Sequence, residues 1–377
     1  MKSLEQIDKN FKKVEITADD IVFYDCLSEP FAVEGLYNPQ ETNRFIRLPE
    51  NFEHSDEVCE GVRQLMLHTA GGRVRFVTDS PYVGLIAEIN GSNAMQHITG
   101  VCQFGFDMYS ADVDDRKTSI YTKSFFPPRD LPSEDVEFDG FYQFEERKMR
   151  EITINFPTYT KVNKVFIGLK EGSILKKADA YTVKDPIVFY GSSVTQGCSA
   201  SRPGTVYTSH LSRWLDSDYI NLGFSGNDRG EPALAEYIKT IKMSAFVYAY
   251  GFNTPTLEHY ENTHYPFYKI IREKKPNLPI IIMTPPYCTV AKNMSPVEKV
   301  SGVRKIAMNT YLKACYEGDE NIYFVDGFEA LGGIEASDCT IDGLHPTDLG
   351  FYNMAKALFP VLRFVIKEKN NKENSNE

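Results

Sequence analysis

Two rhythms of apolar and polar positions divide the chain. Up to about residue 180, short alternating runs are broken by turn residues. Arg73-Val74-Arg75-Phe76-Val77 follows Gly71-Gly72, and Gly84-Leu85-Ile86-Ala87-Glu88-Ile89 ends at Asn90-Gly91. Glu151-Ile152-Thr153-Ile154-Asn155-Phe156 alternates cleanly, and Val165-Phe166-Ile167-Gly168 follows it. A period of two sends alternate side chains to one face, so these runs predict antiparallel strands with one face buried. Their spacing predicts a jelly-roll-like β-sandwich over residues 1–180, with one helix near Glu57–Ala70.

From residue 181 the rhythm becomes strand, loop, helix. Wholly apolar runs at Ile187–Tyr190, Tyr219–Leu222, Ala245–Tyr250, Pro279–Met283 and Ile322–Val325 read as buried strands. Amphipathic stretches at Tyr207–Leu215, Pro232–Ile241, Leu257–Lys274, Val297–Tyr316 and Thr347–Lys367 read as the helices between and after them. Continuous apolar strands alternating with helices predict a parallel sheet covered on both faces, a three-layer α/β/α domain over 181–368. Residues 369–377 are polar and predict a disordered tail.

Composition narrows the partners. The 377 residues carry a formal charge of −11, which repels phosphate backbones and anionic lipid heads. Nucleic acid and membranes are therefore not expected partners. The seven cysteines are scattered without a CxxC pair, which predicts reduced thiols and neither a disulfide framework nor a zinc site. The N-terminal stretch lacks an apolar run of signal-peptide length, and runs such as Ile280–Met283 are too short to span a bilayer. The cytoplasm is the expected location. The 22 tyrosines against one tryptophan fit either core edges or a sugar-facing surface.

In a parallel sheet of this kind, the loops at the carboxyl ends of the strands form the site. Four such positions carry polar or glycine-rich clusters: Gly191-Ser192-Ser193, Asn221-Leu222-Gly223-Phe224-Ser225-Gly226, Gly251-Phe252-Asn253-Thr254 and Asp342-Gly343-Leu344-His345. In this order they resemble the four blocks of the SGNH (GDSL-like) serine hydrolases. The resemblance implies a flavodoxin-like sheet, Ser193 as nucleophile, and Asp342 and His345 completing a triad. It also implies an oxyanion hole from Ser193, Gly226 and Asn253. Two positions depart from the family pattern, Ser192 and Thr254 standing where Asp is usual. Gly105-Phe106-Asp107-Met108-Tyr109 and Cys198–Gly204 are similar to a GDSL subgroup with a GxDLY motif in an N-terminal β-domain, which extends the resemblance over nearly the whole chain.

The residue types suit the chemistry. A serine hydroxyl needs a base within hydrogen-bond reach, and an imidazole serves when a carboxylate fixes its tautomer. Pro346 is expected at the first position of the last helix. No cofactor or metal is expected. Arg202, Asp107 and Tyr109 are candidate substrate contacts. The other histidines, at 54, 68, 97, 210, 259 and 264, are expected to be structural or solvated, and Cys198 and Cys339 unreactive. The resemblance implies an esterase for O-acetyl groups on small-molecule or oligosaccharide esters. The alternatives are a lipid or thioester acylhydrolase and a non-catalytic sugar-binding protein, with homo-oligomerisation left open.

Overall fold

The computed structural model describes residues 18–286, 296–331 and 337–374; Cys288 lies outside them. The first half holds strands β1 (Ile21–Asp25), β2 (Ala32–Glu34), β3 (Arg73–Thr78), β4 (Tyr82–Asn90) and β5 (Phe106–Asp112). After these come β6 (Asp115–Phe125), β7 (Asp135–Gln143), β8 (Arg150–Asn155), β9 (Val162–Lys170) and β10 (Leu175–Lys176). They form two antiparallel sheets, β1-β9-β4-β7 and β10-β3-β8-β5-β6, with β2 added on β3. The predicted alternation is visible in the core between them. Leu85, Ala87 and Ile89 of β4 and Val165, Ile167 and Leu169 of β9 meet Val74, Phe76, Phe106, Met108, Ile152 and Ile154 of the other sheet. Each fully buried Val, Leu, Ile or Phe there contributes roughly 1.5–3 kcal/mol.

The second half is a five-stranded parallel sheet of β11 (Val183–Gly191), β12 (Ser217–Gly223), β13 (Ala245–Ala249), β14 (Ile280–Met283) and β15 (Ile322–Val325). Its order, β12-β11-β13-β14-β15, is the flavodoxin-like one. Five helices cover it: α1 (Tyr207–Leu215), α2 (Pro232–Ile238), α3 (Leu257–Lys274), α4 (Pro296–Tyr316) and α5 (Asp348–Asn374). Alternate strand residues serve opposite faces. Val188, Tyr190, Phe246 and Tyr248 pack against α2, α3 and α4. Ile187, Phe189, Ala245 and Val247 pack against α1 and α5.

Three features differ from the sequence reading. Ile46, Leu48, Phe52, Val58, Val62 and Met66, all before residue 180, pack into the core on the α2–α4 side of the parallel sheet. Residues 46–66 therefore belong structurally to the second layer system, and the helix expected over Glu57–Ala70 is only Glu60–Leu65. Helix α5 continues to Asn374, so residues 369–374 of the expected tail are helical. These last turns continue a helix already anchored by packing upstream. The window Asp348–Lys367 is long and apolar enough to cross a membrane by composition. Its Phe351, Met354, Ala355, Leu358, Leu362, Val365 and Ile366 are buried in the core, which accounts for that composition.

Candidate active site

Three neighbouring strands end at one level. Gly191 of β11 is in register with Gly223 of β12 and with Ala249 of β13. Ser193, Gly226 and Asn253 follow these residues within four positions, so their loops leave the same edge of the sheet side by side. Ser193 opens a single helical turn, Ser193–Gln196. Ser192 caps it, its hydroxyl accepting from the Val194 N–H at 3.2 Å. The Ser in place of the usual Asp thus holds the nucleophile turn as an N-cap. Gly223 has to be glycine: a Cβ there would sit 2.2 Å from the Gln196 nitrogen of that turn.

His345 comes to the nucleophile from a tight turn. One oxygen of Asp342 accepts the N–H groups of Leu344 at 3.0 Å and His345 at 2.8 Å. The other lies 2.7 Å from His345 Nδ1, and His345 Nε2 lies 3.1 Å from Ser193 Oγ. A carboxylate at Nδ1 keeps the ring proton there and leaves the Nε2 lone pair facing the hydroxyl. Partial burial works to raise the Asp342 pKa, but the His345 N–H, the His345 ring and the Leu344 N–H outweigh it. The carboxyl stays below its ordinary value. Pro346 does not open the last helix as expected. It pairs with Thr340 in a short antiparallel bridge that closes the turn, and α5 begins at Asp348.

The expected oxyanion donors are two backbone N–H groups and one side-chain amide. Among the described residues, the N–H groups of Ser193 and Gly226 have no protein acceptor. Gly226 has φ of 74° and open space where a Cβ would be. Asn253 Nδ2 donates to Asp228 Oδ1 at 2.5 Å, which leaves its second hydrogen for a ligand. Asp228 Oδ2 also accepts the Gly251 N–H at 3.1 Å. Asp228 is fully buried, and burial pushes its carboxyl up to about 7 against the pull of those two bonds. Asp228 therefore does the positioning that an Asp at 254 would be expected to do. Thr254 instead closes its own turn, donating to the Thr256 carbonyl at 2.9 Å. Nothing in the spacing of the blocks singled Asp228 out, because its partners lie 23 and 25 residues away.

The expected substrate contacts need correction. Asp107 is fully buried; its oxygens accept from Asn155 Nδ2 at 2.8 Å and the Gly204 N–H at 2.9 Å. Arg202 Nε lies 3.4 Å from the same carboxylate, and its guanidinium stacks 4.1 Å from the Tyr121 ring. Tyr109 OH reaches the Gly204 carbonyl. These side chains join the β-domain to the loop after the nucleophile; Asp107 is wholly enclosed there and Tyr109 is buried beside it. Gly204 fits this junction because a Cβ would meet Tyr109 at 2.3 Å. Burial raises the Asp107 carboxyl to about 6 despite its hydrogen bonds. Arg47, also buried, ties the segment 46–66 to the end of β12 by donating to the Asn221 and Gly223 carbonyls.

The histidines divide. His68, His210 and His264 are packed, and burial lowers each to about 3, so they are neutral structural groups. His97 is different. Carried on a β-domain loop, its ring lies 5.3 Å from the His345 ring. It was missed because proximity across some 250 residues leaves no local pattern.

A model of the GDSL-like lipase/acylhydrolase family matches residues 184–363, and one of the GxDLY N-terminus of SGNH-hydrolase-type esterases matches residues 21–175. The chain belongs to the GDSL-like lipase/acylhydrolase family. Solved relatives bear the fold out along the GDSL-like chain. A Bacteroides ovatus protein assigned as a GDSL-like lipase is 25% identical, with a TM-score of 0.80 over 92% of this chain and 98% of its own. The salicylyl-acyltransferase SsfX3 of a tetracycline biosynthetic pathway is 18% identical, with a TM-score of 0.73 over 90% and 96%. An acetyl xylan esterase from the rumen bacterium Butyrivibrio proteoclasticus is 14% identical, with a TM-score of 0.55 over 91% and 98%. No curated protein matches the chain significantly. The GDSL-like hydrolase thus combines a parallel SGNH-type sheet with N-terminal antiparallel sheets, as the sequence predicted.

Proposed function

We propose that this hydrolase is a serine esterase that removes small O-acyl groups, acetyl foremost, from carbohydrates. The observation that carries the reading is the continuous hydrogen-bond chain Asp342–His345–Ser193, at 2.7 and 3.1 Å. His345 takes the Ser193 proton as Oγ attacks the ester carbonyl. The carbonyl oxygen becomes an anion and accepts from the N–H groups of Ser193 and Gly226 and the Asn253 amide. His345 then protonates the departing alcohol, and a water activated by the same ring releases the acid. Such an intact relay favours an enzyme over a non-catalytic sugar-binding protein.

His97 adds a polar, ring-bearing wall from the β-domain, which suits a sugar better than a fatty chain. The acetyl xylan esterase shares the two-domain arrangement along almost its full length. Free thiols at Cys26, Cys59, Cys102, Cys198 and Cys315 support work in a reducing compartment, the cytoplasm, on imported oligosaccharides. Transfer of the acyl group to a second alcohol instead of water is a second reading, favoured by the likeness to the salicylyl-acyltransferase.

Acetate release from a panel of acetylated oligosaccharides tests the proposal, with Ser193→Ala as the control. The wild type is expected to release acetate and to prefer p-nitrophenyl acetate over longer acyl esters. Full activity in Ser193→Ala would remove the nucleophile assignment, and a preference rising with chain length would move the substrate to lipids. Acylated products formed with an added alcohol would favour transfer.

A further inference from the structure

His97, Cys198 and His345 each bring one ligand-type atom to the same place beside the nucleophile. The three atoms lie within 4.8 Å of one another. They come from three anchored segments. The His97 carbonyl accepts from the Ser199 hydroxyl at 2.9 Å, the Cys198 N–H donates to the Ser193 carbonyl at 2.9 Å, and His345 is held by Asp342. Cys198 is buried, while the two imidazoles are half-buried and reachable. Zinc-type ions bind imidazole nitrogen and thiolate sulfur at about 2.0–2.3 Å in a tetrahedron, which sets ligand atoms roughly 3.5 Å apart. The three atoms have to draw together by about one ångström to reach that size. Two imidazoles and a thiolate select thiophilic transition metals over magnesium or calcium.

We propose that these three residues form a site for one thiophilic divalent cation of the zinc class, and that its binding reversibly switches the hydrolase off. The off-switch, though not the site, rests on the esterase reading above. It follows from the double engagement of His345, whose Nδ1 is bonded to Asp342 and whose Nε2 faces Ser193. A metal on either nitrogen removes a bond that the triad needs. On binding, the metal–sulfur bond forms, the Cys198 S–H bond breaks and its proton passes to water, with no change in oxidation state.

The test uses the full chain, with Zn²⁺ titrated against ester turnover and Co²⁺ followed by absorption. The thiolate-to-cobalt charge-transfer band reports Cys198 whether or not any ester is cleaved. One equivalent of Co²⁺ is expected to produce the band, and Zn²⁺ to inhibit until a chelator restores turnover. Cys198→Ser is expected to abolish the band. Cys198→Ser should keep basal turnover, and both it and His97→Ala should need about tenfold more Zn²⁺, or beyond, to halve their own zinc-free turnover. Cys315→Ser, which removes an exposed thiol elsewhere, should change neither signal. Cobalt binding without the band would overturn the site, and undiminished zinc inhibition of His97→Ala and Cys198→Ser would overturn it too. Were Cys198→Ser not to fold, His97→Ala and the parent spectrum decide. A chain inactive on every ester would sink the esterase reading while leaving the cobalt result to judge the site.

Discussion

Two arms meet at Ser193, and each aims a side chain by means of a carboxylate. Asp342 holds His345 from three residues away, whereas Asp228 holds Asn253 from 25 residues away. The Asp342 side chain is 37% exposed and the Asp228 residue 0%. Their titration follows: Asp342 is held below the ordinary carboxylate range, and Asp228 is pushed up to about 7 by burial. The histidine arm has a partner that must be charged when an imidazolium forms, so it keeps that carboxylate near water. The amide arm needs only a fixed direction for a neutral N–H, so its carboxylate can sit in the dry interior.

Breaking the histidine arm should have the larger effect. Asp342→Asn presents an amide to Nδ1 and favours the wrong tautomer, so kcat on p-nitrophenyl acetate should fall about 10⁴-fold, as in other triads. A fall of less than about tenfold would mean that His345 is aimed by the turn alone. Asn253→Ala removes one oxyanion donor, and kcat should fall about 10²–10³-fold with little change in KM. A rise in KM at constant kcat would place Asn253 on the ground-state substrate instead.

The same contrast explains what the sequence disclosed. The Asp342/His345 pair sits within one turn, and block order along strand ends put Ser193, Gly226 and Asn253 on loops that leave one edge of the sheet. Period-two and strand–helix rhythms likewise revealed the strands of both halves, because local alternation is what burial of one face demands. Contacts made across long stretches of chain left no such trace. Asp228 reaching back under Asn253, His97 arriving from the other domain, and residues 46–66 crossing to the parallel sheet depend on tertiary packing. Asp107 and Tyr109 were visible as a motif, but a motif does not say which way a buried carboxylate faces. Their role turned out to be the domain junction.

The smallest effect separates the arms most finely. Asp228→Asn keeps one acceptor but turns an NH₂ toward either Gly251 or Asn253, so about one hydrogen bond is lost and kcat should drop about tenfold. Thermal stability carries the sharper signature. The carboxyl titrates at about 7 in the fold against 3.8 ordinarily, so between those values the folded chain holds the extra proton. The stability this group supplies is full below about pH 4 and is lost as pH rises toward 7. Asp342, lowered in the fold, has the opposite sign: its contribution is present above its unfolded value and is lost as pH falls through its folded one. Relative to wild type, the Tm of Asp228→Asn should therefore improve from pH 4 to 7 and then level off, while that of Asp342→Asn should worsen on going up from pH 3. Parallel Tm profiles for the two variants would show that the carboxylates share one environment, and the distinction between a charged arm and a buried one would fall.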